Sequence, residues 1–273
     1  MARHTAGGAA AAGGMDFQHR VSAWMAVHIL AEKGAPPPWD LPAYVMLEWL
    51  ECETAEPVDD LLVGTSAGGR VFCQIKRRLD LSEAPNSPFA SVLEQFVRQF
   101  IACQQRRKPL DPQKDRLVLI TSSNSPETIR IHLRSVLDRI RSCKRESLED
   151  LPRNRNERRA LSIVDGHIRR FWQNVLGNSL STQEIRQLLS LVYIFVLDVD
   201  RGGAQEREAK TLLRTVVLRN PDDADTAWSQ LISSCAHFAA TRSGADRLGL
   251  QRILLDAGID LLSPRSYLSL IHI

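Results

Sequence analysis

Cysteine is scarce and scattered in this chain of 273 residues. It has five, Cys52, Cys73, Cys103, Cys143 and Cys235. They are odd in number and form no C-x-x-C or C-x-x-H pair, which speaks against a zinc site and a disulfide framework. Reduced thiols in a cytoplasmic protein are expected. No apolar run approaches the roughly 20 residues that cross a bilayer. The Ala/Gly-rich start, Met1 to Gly14, lacks the apolar stretch of a secretory signal and reads as a disordered leader. No G-x-x-x-x-G-K-[ST] occurs, so ATP binding through a phosphate loop is not expected. Gly64 to Gly69 lacks the lysine of such a loop. A strand pattern rather than a helix follows it, which also argues against a nucleophile elbow. There is no internal repeat and no heptad array.

What is present suits a globular core: hydrophobic residues make up 44% and charged residues 25%. The formal net charge of +3 is mild, but its distribution is uneven. Between Arg130 and Arg170 lie Arg134, Arg139, Arg141, Lys144, Arg145, Arg153, Arg155, Arg158, Arg159 and Arg169, against few acids. Such a stretch can neutralise nucleic-acid phosphates, or it can be a solvated helix face.

Phe17 to Glu32 has an apolar stripe at helical spacing, ended by Gly34 and Pro36 to Pro38. Strand patterns follow at Tyr44 to Leu50, Val58 to Val63 and Arg70 to Arg77, the last two joined by a glycine turn. An amphipathic helix is expected over Ser87 to Gln105 and a buried strand over Arg116 to Ser122. Glu127 to Ser142 and Ala160 to Leu176 read as helices, with Leu151 to Arg159 as a linker or helix start. Ser181 and Glu184 spell a capping box, and Val192 to Val199 a further strand. Ala204 to Leu218, Asp223 to Thr241 and Arg247 to Ala257 read as helices. A strand reached from the hairpin across a helix implies an α/β unit with parallel pairing. Trp24, Trp49, Trp172 and Trp228 sit in apolar periodic contexts and read as core. Thr121 to Ser125 follows a strand as a ligand-binding loop does.

The chemically informative segment is Val58 to Val63 followed by Val71 to Arg77. Side chains two apart on a strand share a face. Gln74 and Lys76 therefore project together, and Asp60 on the preceding strand can meet them. Asp59 points the other way in a regular strand and ranks second. Phosphodiester hydrolysis needs a divalent cation to polarise phosphate and activate water. Magnesium is satisfied by one or two carboxylates and its own waters. A glutamine carbonyl is a neutral ligand, and a lysine can stabilise developing charge.

This arrangement resembles the PD-(D/E)xK nuclease superfamily in its Q-x-K variant, as in Mrr-type restriction nucleases. It resembles more closely the double-stranded-DNA nuclease domain at the N-terminus of bacterial anti-phage effectors, including the CD-NTase-associated endonucleases. The residues that carry the resemblance are Phe17-Gln18 on the first helix, the Glu-rich strand end, the Asp59-Asp60 strand and Gln74-x-Lys76. The resemblance covers Met15 to Ser123, and the expected domain runs over 15–200. The resemblance implies a restriction-endonuclease-like mixed sheet flanked by helices, followed by a helical region over 203–262. It implies Mg²⁺ (or Mn²⁺) held by Asp60 and Gln74, with Lys76 assisting attack on double-stranded DNA. Gln18 and Glu53 are implied accessory residues, and Arg77 and Arg78 implied phosphate contacts. The implied setting is anti-phage defence away from any membrane, in a homo-oligomer whose sensor or NTPase module lies downstream. Gln18 departs from the usual helix glutamate, and Gln74 from the usual acid. Both departures also suit a catalytically inactive DNA-binding or assembly module. Residues 268–273, Leu-Ser-Leu-Ile-His-Ile, match the translated end of a transposase-based sequencing adapter. They read as an artefact on an N-terminal fragment.

Overall fold

A computed structural model of the chain describes residues 5–32, 38–143 and 146–262. The residues read as an adapter remnant lie outside them. Helix α1 (Thr5–Ala31) leads into β1 (Leu47–Cys52), β2 (Leu61–Thr65) and β3 (Arg70–Ile75). Helix α2 (Pro88–Gln105) crosses to β4 (Arg116–Thr121). A π-helical turn (Thr128–Leu133) opens α3 (Arg134–Ser142), and α4 (Arg155–Leu176) and α5 (Thr182–Leu191) lead to β5 (Val192–Val196). Then come α6 (Ala204–Leu212), α7 (Ala224–Thr241), the short strand β6 (Gly244–Asp246) and α8 (Arg247–Asp256).

The six strands form one mixed sheet in the order β5-β4-β3-β2-β1-β6. β1, β2 and β3 form an antiparallel meander. β4 and β5 join parallel to β3, which requires the helical crossovers between them. The β2–β3 turn is closed by Gly68 N–H donating to Thr65 O at 2.8 Å, with Gly68 at φ 69°. That conformation suits glycine.

Alternation along the strands serves two cores. Val71, Cys73 and Ile75 of β3 face the layer built by α1, α6, α7 and α8. Phe72 faces the opposite layer, built by α2, α3, α4 and α5. The C-terminal helices are thus part of the sheet's first layer, with Leu213, Trp228, Leu231 and Leu250 packed in one cluster with Val21, Met25 and Leu50. Sequence reading set 203–262 apart as a linking region; here that region shares the domain core and adds β6 to the edge of β1. β6 has three residues, too few for a strand pattern to register.

Two further differences have local causes. The helix expected from Phe17 begins at Thr5, so Thr5 to Gly14, read as leader, is helical. Alanine is the best helix former, and Ala9 to Ala12 offset the flanking glycines. The helix expected over Glu127 to Ser142 is split by its π turn, as is the one expected over Ala204 to Leu218, where a second π turn covers Leu213–Val217. The Ser181–Glu184 capping box forms as spelled. All five cysteines are free. Among the described residues no helix is long and apolar enough to cross a membrane.

Candidate active site

The chain reverses between β1 and β2 through Glu53 to Asp60, and α2 holds that reversal in place. Gln99 is fully buried on α2. Its Oε1 accepts Val58 N–H at 3.2 Å, and its Nε2 donates to Glu56 Oε2 at 2.9 Å. One turn earlier, Gln95 Nε2 donates to Asp59 Oδ1 at 3.1 Å. Asp59 is therefore engaged by α2, and Asp60 is left to β3.

Three donors converge on Asp60 Oδ2: Gln74 Nε2 at 2.6 Å, Ile75 N–H at 2.6 Å and Lys76 Nζ at 3.3 Å. No hydrogen bond reaches Oδ1 from the described residues. Asp60 is 7% exposed and Gln74 1%. Burial pushes the Asp60 carboxyl up to about 6; the Lys76 charge and Ile75 N–H oppose that rise, and Asp59 adds to it. Gln74 turns its NH₂ to the carboxylate, so its Oε1 points elsewhere, buried and without a partner among the described residues. Buried polar atoms are rarely left so.

Gln18 and Glu53 also meet, with Gln18 Nε2 donating to Glu53 Oε1 at 2.7 Å. Glu53 holds a left-handed backbone at φ 51°, and its N–H donates to Asp60 O at 3.3 Å. An open cleft is lined by Gly14, Met15 and Gln18 of α1, by Lys76, Arg77 and Arg78, and by Asn124. Gln18, Lys76, Arg77 and Arg78 thus share one concavity beside the buried Asp60–Gln74 pair. Arg78 is largely exposed, in a loose pair with Asp80 at 3.7 Å, and Arg77 pairs with Asp200 at 3.0 Å.

Thr121 to Ser125, which resembled a ligand loop, shapes the strand end. Ser122 Oγ donates to Arg77 O at 2.6 Å, and Leu79 N–H donates to Ser125 Oγ at 3.0 Å. Several cations of the arginine-rich stretch are engaged within the fold. Arg130 Nε binds Ser125 O, Arg139 binds Glu157 and Leu151 O, and Arg169 pairs with Asp165 at 2.8 Å. Arg141 binds Val192 O and lies 3.7 Å over the Tyr193 ring. Trp24, Trp172 and Trp228 are core as expected, and so is Trp39. Trp49 is half-buried and covers Gly64 across the β1–β2 pair.

Sequence reading missed Gln95 and Gln99. Their signal was a pair of amides four apart inside the apolar stripe of α2, at positions where a purely amphipathic helix has hydrocarbon.

Fold and site together define a mixed α/β protein with a carboxylate, an amide and an ammonium gathered at one end of β2 and β3. The chain matches no protein-family model and no curated protein. Among solved structures it is similar to the Acinetobacter baumannii Cap4 SAVED/CARF-domain containing receptor. With the cyclic trinucleotide 2'3'3'-cAAA bound to that receptor, the TM-score is 0.48 at 11% identity, covering 89% of this chain and 44% of that one. Without the trinucleotide the TM-score is again 0.48 at 11% identity, covering 89% of this chain and 46% of that one. The chain spans less than half the length of those it matches. That degree of likeness leaves function to be read from this chain's own residues.

Proposed function

We propose that the chain is a metal-dependent endonuclease of double-stranded DNA with a restriction-endonuclease-like core. The observation that carries this reading is the convergence of Asp60, Gln74 and Lys76, with a buried, unpartnered amide oxygen on Gln74. The order α1-β1-β2-β3-α2-β4, with the acid at the start of β2 and Gln-x-Lys at the end of β3, is the order the PD-(D/E)xK resemblance calls for.

The residues present suit a hard cation. No group of three or more His, Cys, Asp or Glu side chains converges among the described residues, so a zinc-type cage is not what the site offers. A single buried carboxylate and an amide carbonyl match the sparse protein ligation of Mg²⁺ or Mn²⁺. Asp60 and Gln74 would hold the ion, once the amide presents Oε1 instead of Nε2. An ion held there would supply polarisation of a phosphate and a more acidic water. Lys76, at the cleft wall, places positive charge where a phosphorane builds negative charge. Gln18 lines the same cleft and is bonded to Glu53, so the pair would serve as the accessory residues. Arg78 supplies a phosphate contact from the cleft rim. A role as the effector part of an anti-phage system, with a sensor or NTPase module elsewhere in a longer protein, follows from the family resemblance.

The test is plasmid nicking by the purified chain in Mg²⁺ or Mn²⁺, beside Lys76→Ala and an EDTA control. Cleavage that falls at least about 100-fold in Lys76→Ala and vanishes in EDTA supports the reading. Undiminished cleavage in a folded Lys76→Ala variant overturns the site.

One observation favours a second reading, an inactive DNA-binding or assembly module. Asp60 Oδ2 is already saturated by three donors without any cation. Calorimetry with Mn²⁺ separates the two, since an inactive module shows no affinity that depends on Asp60.

A further inference from the structure

Helix α4 gathers arginines on one face, and of these Arg155 and Arg159 are exposed. At about 100° per residue, Arg155, Arg159, Ser162, Gly166 and Arg170 fall within about 80° of one another. No acid of α4 lies on that face. Glu157 is turned inward to Arg139, and Asp165 is paired with Arg169. Arg155 and Arg159 are exposed, and a Cβ built on Gly166 meets nothing within 4 Å. The face is therefore cationic at both ends and open in the middle.

It is also part of a groove. Glu83, Arg159, Ser162, Gly166, His167 and Arg170 line a concavity between α4 and the loop that leaves Lys76. That loop is stitched to α4 along its length. His167 Nε2 donates to Ser82 O at 2.8 Å, and Arg170 Nη2 donates to Pro85 O at 3.1 Å. Buried His167 completes the anchor by accepting from Arg170 through Nδ1 at 3.1 Å. The same loop follows the strand end bearing Lys76 and Arg78 in the chain and carries it to α4.

We infer that the groove between α4 and the 79–87 loop seats the phosphate backbone of the duplex flanking the cut, with Arg159 and Arg170 as its cations and Arg155 extending the same helix face beyond it. This rests on the endonuclease reading and adds where the substrate extends. Arg155 to Arg170 spans about 22 Å of helix, which matches roughly six base-pair steps of 3.4 Å. The open surface at Gly166 lets a sugar-phosphate chain approach the helix closely. Glu83 is the internal competitor: its carboxylate stands 3.4 Å from Arg159, in an exposed pair that a phosphate can displace.

The experiment is binding of a fluorescent 20-base-pair duplex in EDTA, where no cleavage occurs, across a salt series. The proteins are wild type, Arg155→Ala/Arg159→Ala and Glu83→Gln. The double variant is expected to bind about 10-fold more weakly, and its log–log salt slope to fall by about 1.8, from two lost phosphate contacts at about 0.9 each. Glu83→Gln is expected to tighten binding several-fold, which a merely structural role for these surface residues would not produce. Wild-type binding with the slope unchanged in the double variant overturns the groove and leaves the endonuclease reading standing. No duplex binding by the wild type overturns both. Arginine-dependent binding to anionic phosphatidylglycerol vesicles, with duplex binding unchanged, would reassign the face to a membrane surface and overturn the inference.

Discussion

Gln74 donates its amide NH₂ to Asp60 Oδ2 at 2.6 Å and thereby strands its own Oε1 in the protein interior. An unmet buried acceptor costs about 1–3 kcal/mol. A cation would use both the carboxylate and the stranded oxygen. Gln74→Glu supplies the second acid that the PD-(D/E)xK pattern normally has. Without metal, two carboxyls in this buried pocket cannot both ionise comfortably. The variant should melt below wild type at pH 8 in EDTA. It should bind Mn²⁺ at least about 10-fold more tightly and recover its melting temperature when loaded. Unchanged Mn²⁺ affinity would remove Gln74 from the ligand set.

Asp60 titrates at about 6 in the fold against an ordinary value of 3.8, chiefly because burial penalises its charge. A carboxyl raised in the folded state contributes stability that is complete below the unfolded value and lost as pH rises through the folded one. The separation is worth about 3 kcal/mol. Asp60→Asn keeps an acceptor for Gln74, Ile75 and Lys76 but carries no charge. It should match wild type near pH 4 and exceed it by up to about 3 kcal/mol at pH 7.5. Urea denaturation of both proteins at the two pH values checks this. A stability difference that does not grow with pH would show that Asp60 is not strained by its burial.

The same carboxyl sets the pH dependence of metal binding. A proton and a cation compete for Asp60, so Mn²⁺ affinity should be flat above pH 7. It should fall by up to about 10-fold per unit below pH 6. Titration calorimetry in matched-ionic-strength buffers reads this directly. An affinity equal at pH 5 and pH 8 would place the ion away from Asp60.

Much of this was legible in the sequence because period and spacing encode it. The β2–β3 hairpin declared itself through its glycine turn, and Gln74 and Lys76 fell together because strand side chains alternate. The partner that holds Asp59 was not legible, because Gln95 reaches it from α2, 36 residues away. Nor could composition tell Arg141, wrapped against Tyr193, from Arg159 at the surface. Both sit in basic helical stretches, and only tertiary contacts separate them. The split of the domain at 203 misread a second helical layer as a linker. Its apolar positions are the same whether they pack on α1 or on another module.

Gly244 tests whether that second layer is anchored where the fold places it. β6 pairs antiparallel with β1, with Gly244 opposite Glu51, Ala245 opposite Leu50 and Asp246 opposite Trp49. A Cβ on Gly244 would sit 1.9 Å from Leu50 O, a backbone atom that cannot rotate away. Gly244→Ala must therefore push β6 off β1, at about 1–3 kcal/mol for an overpacked site. At about 2–4 °C per kcal/mol for a chain of this size, melting should fall by roughly 2–12 °C. The Asp60 network lies at β2 and β3, so Mn²⁺ affinity at pH 8 should hold. A variant that melts like wild type would mean that β6 does not pair with β1. One that loses Mn²⁺ affinity as well would mean that the β1 edge and the Asp60 reversal move as a unit, through Cys52 N–H and its bond to Ser243 O at 2.9 Å.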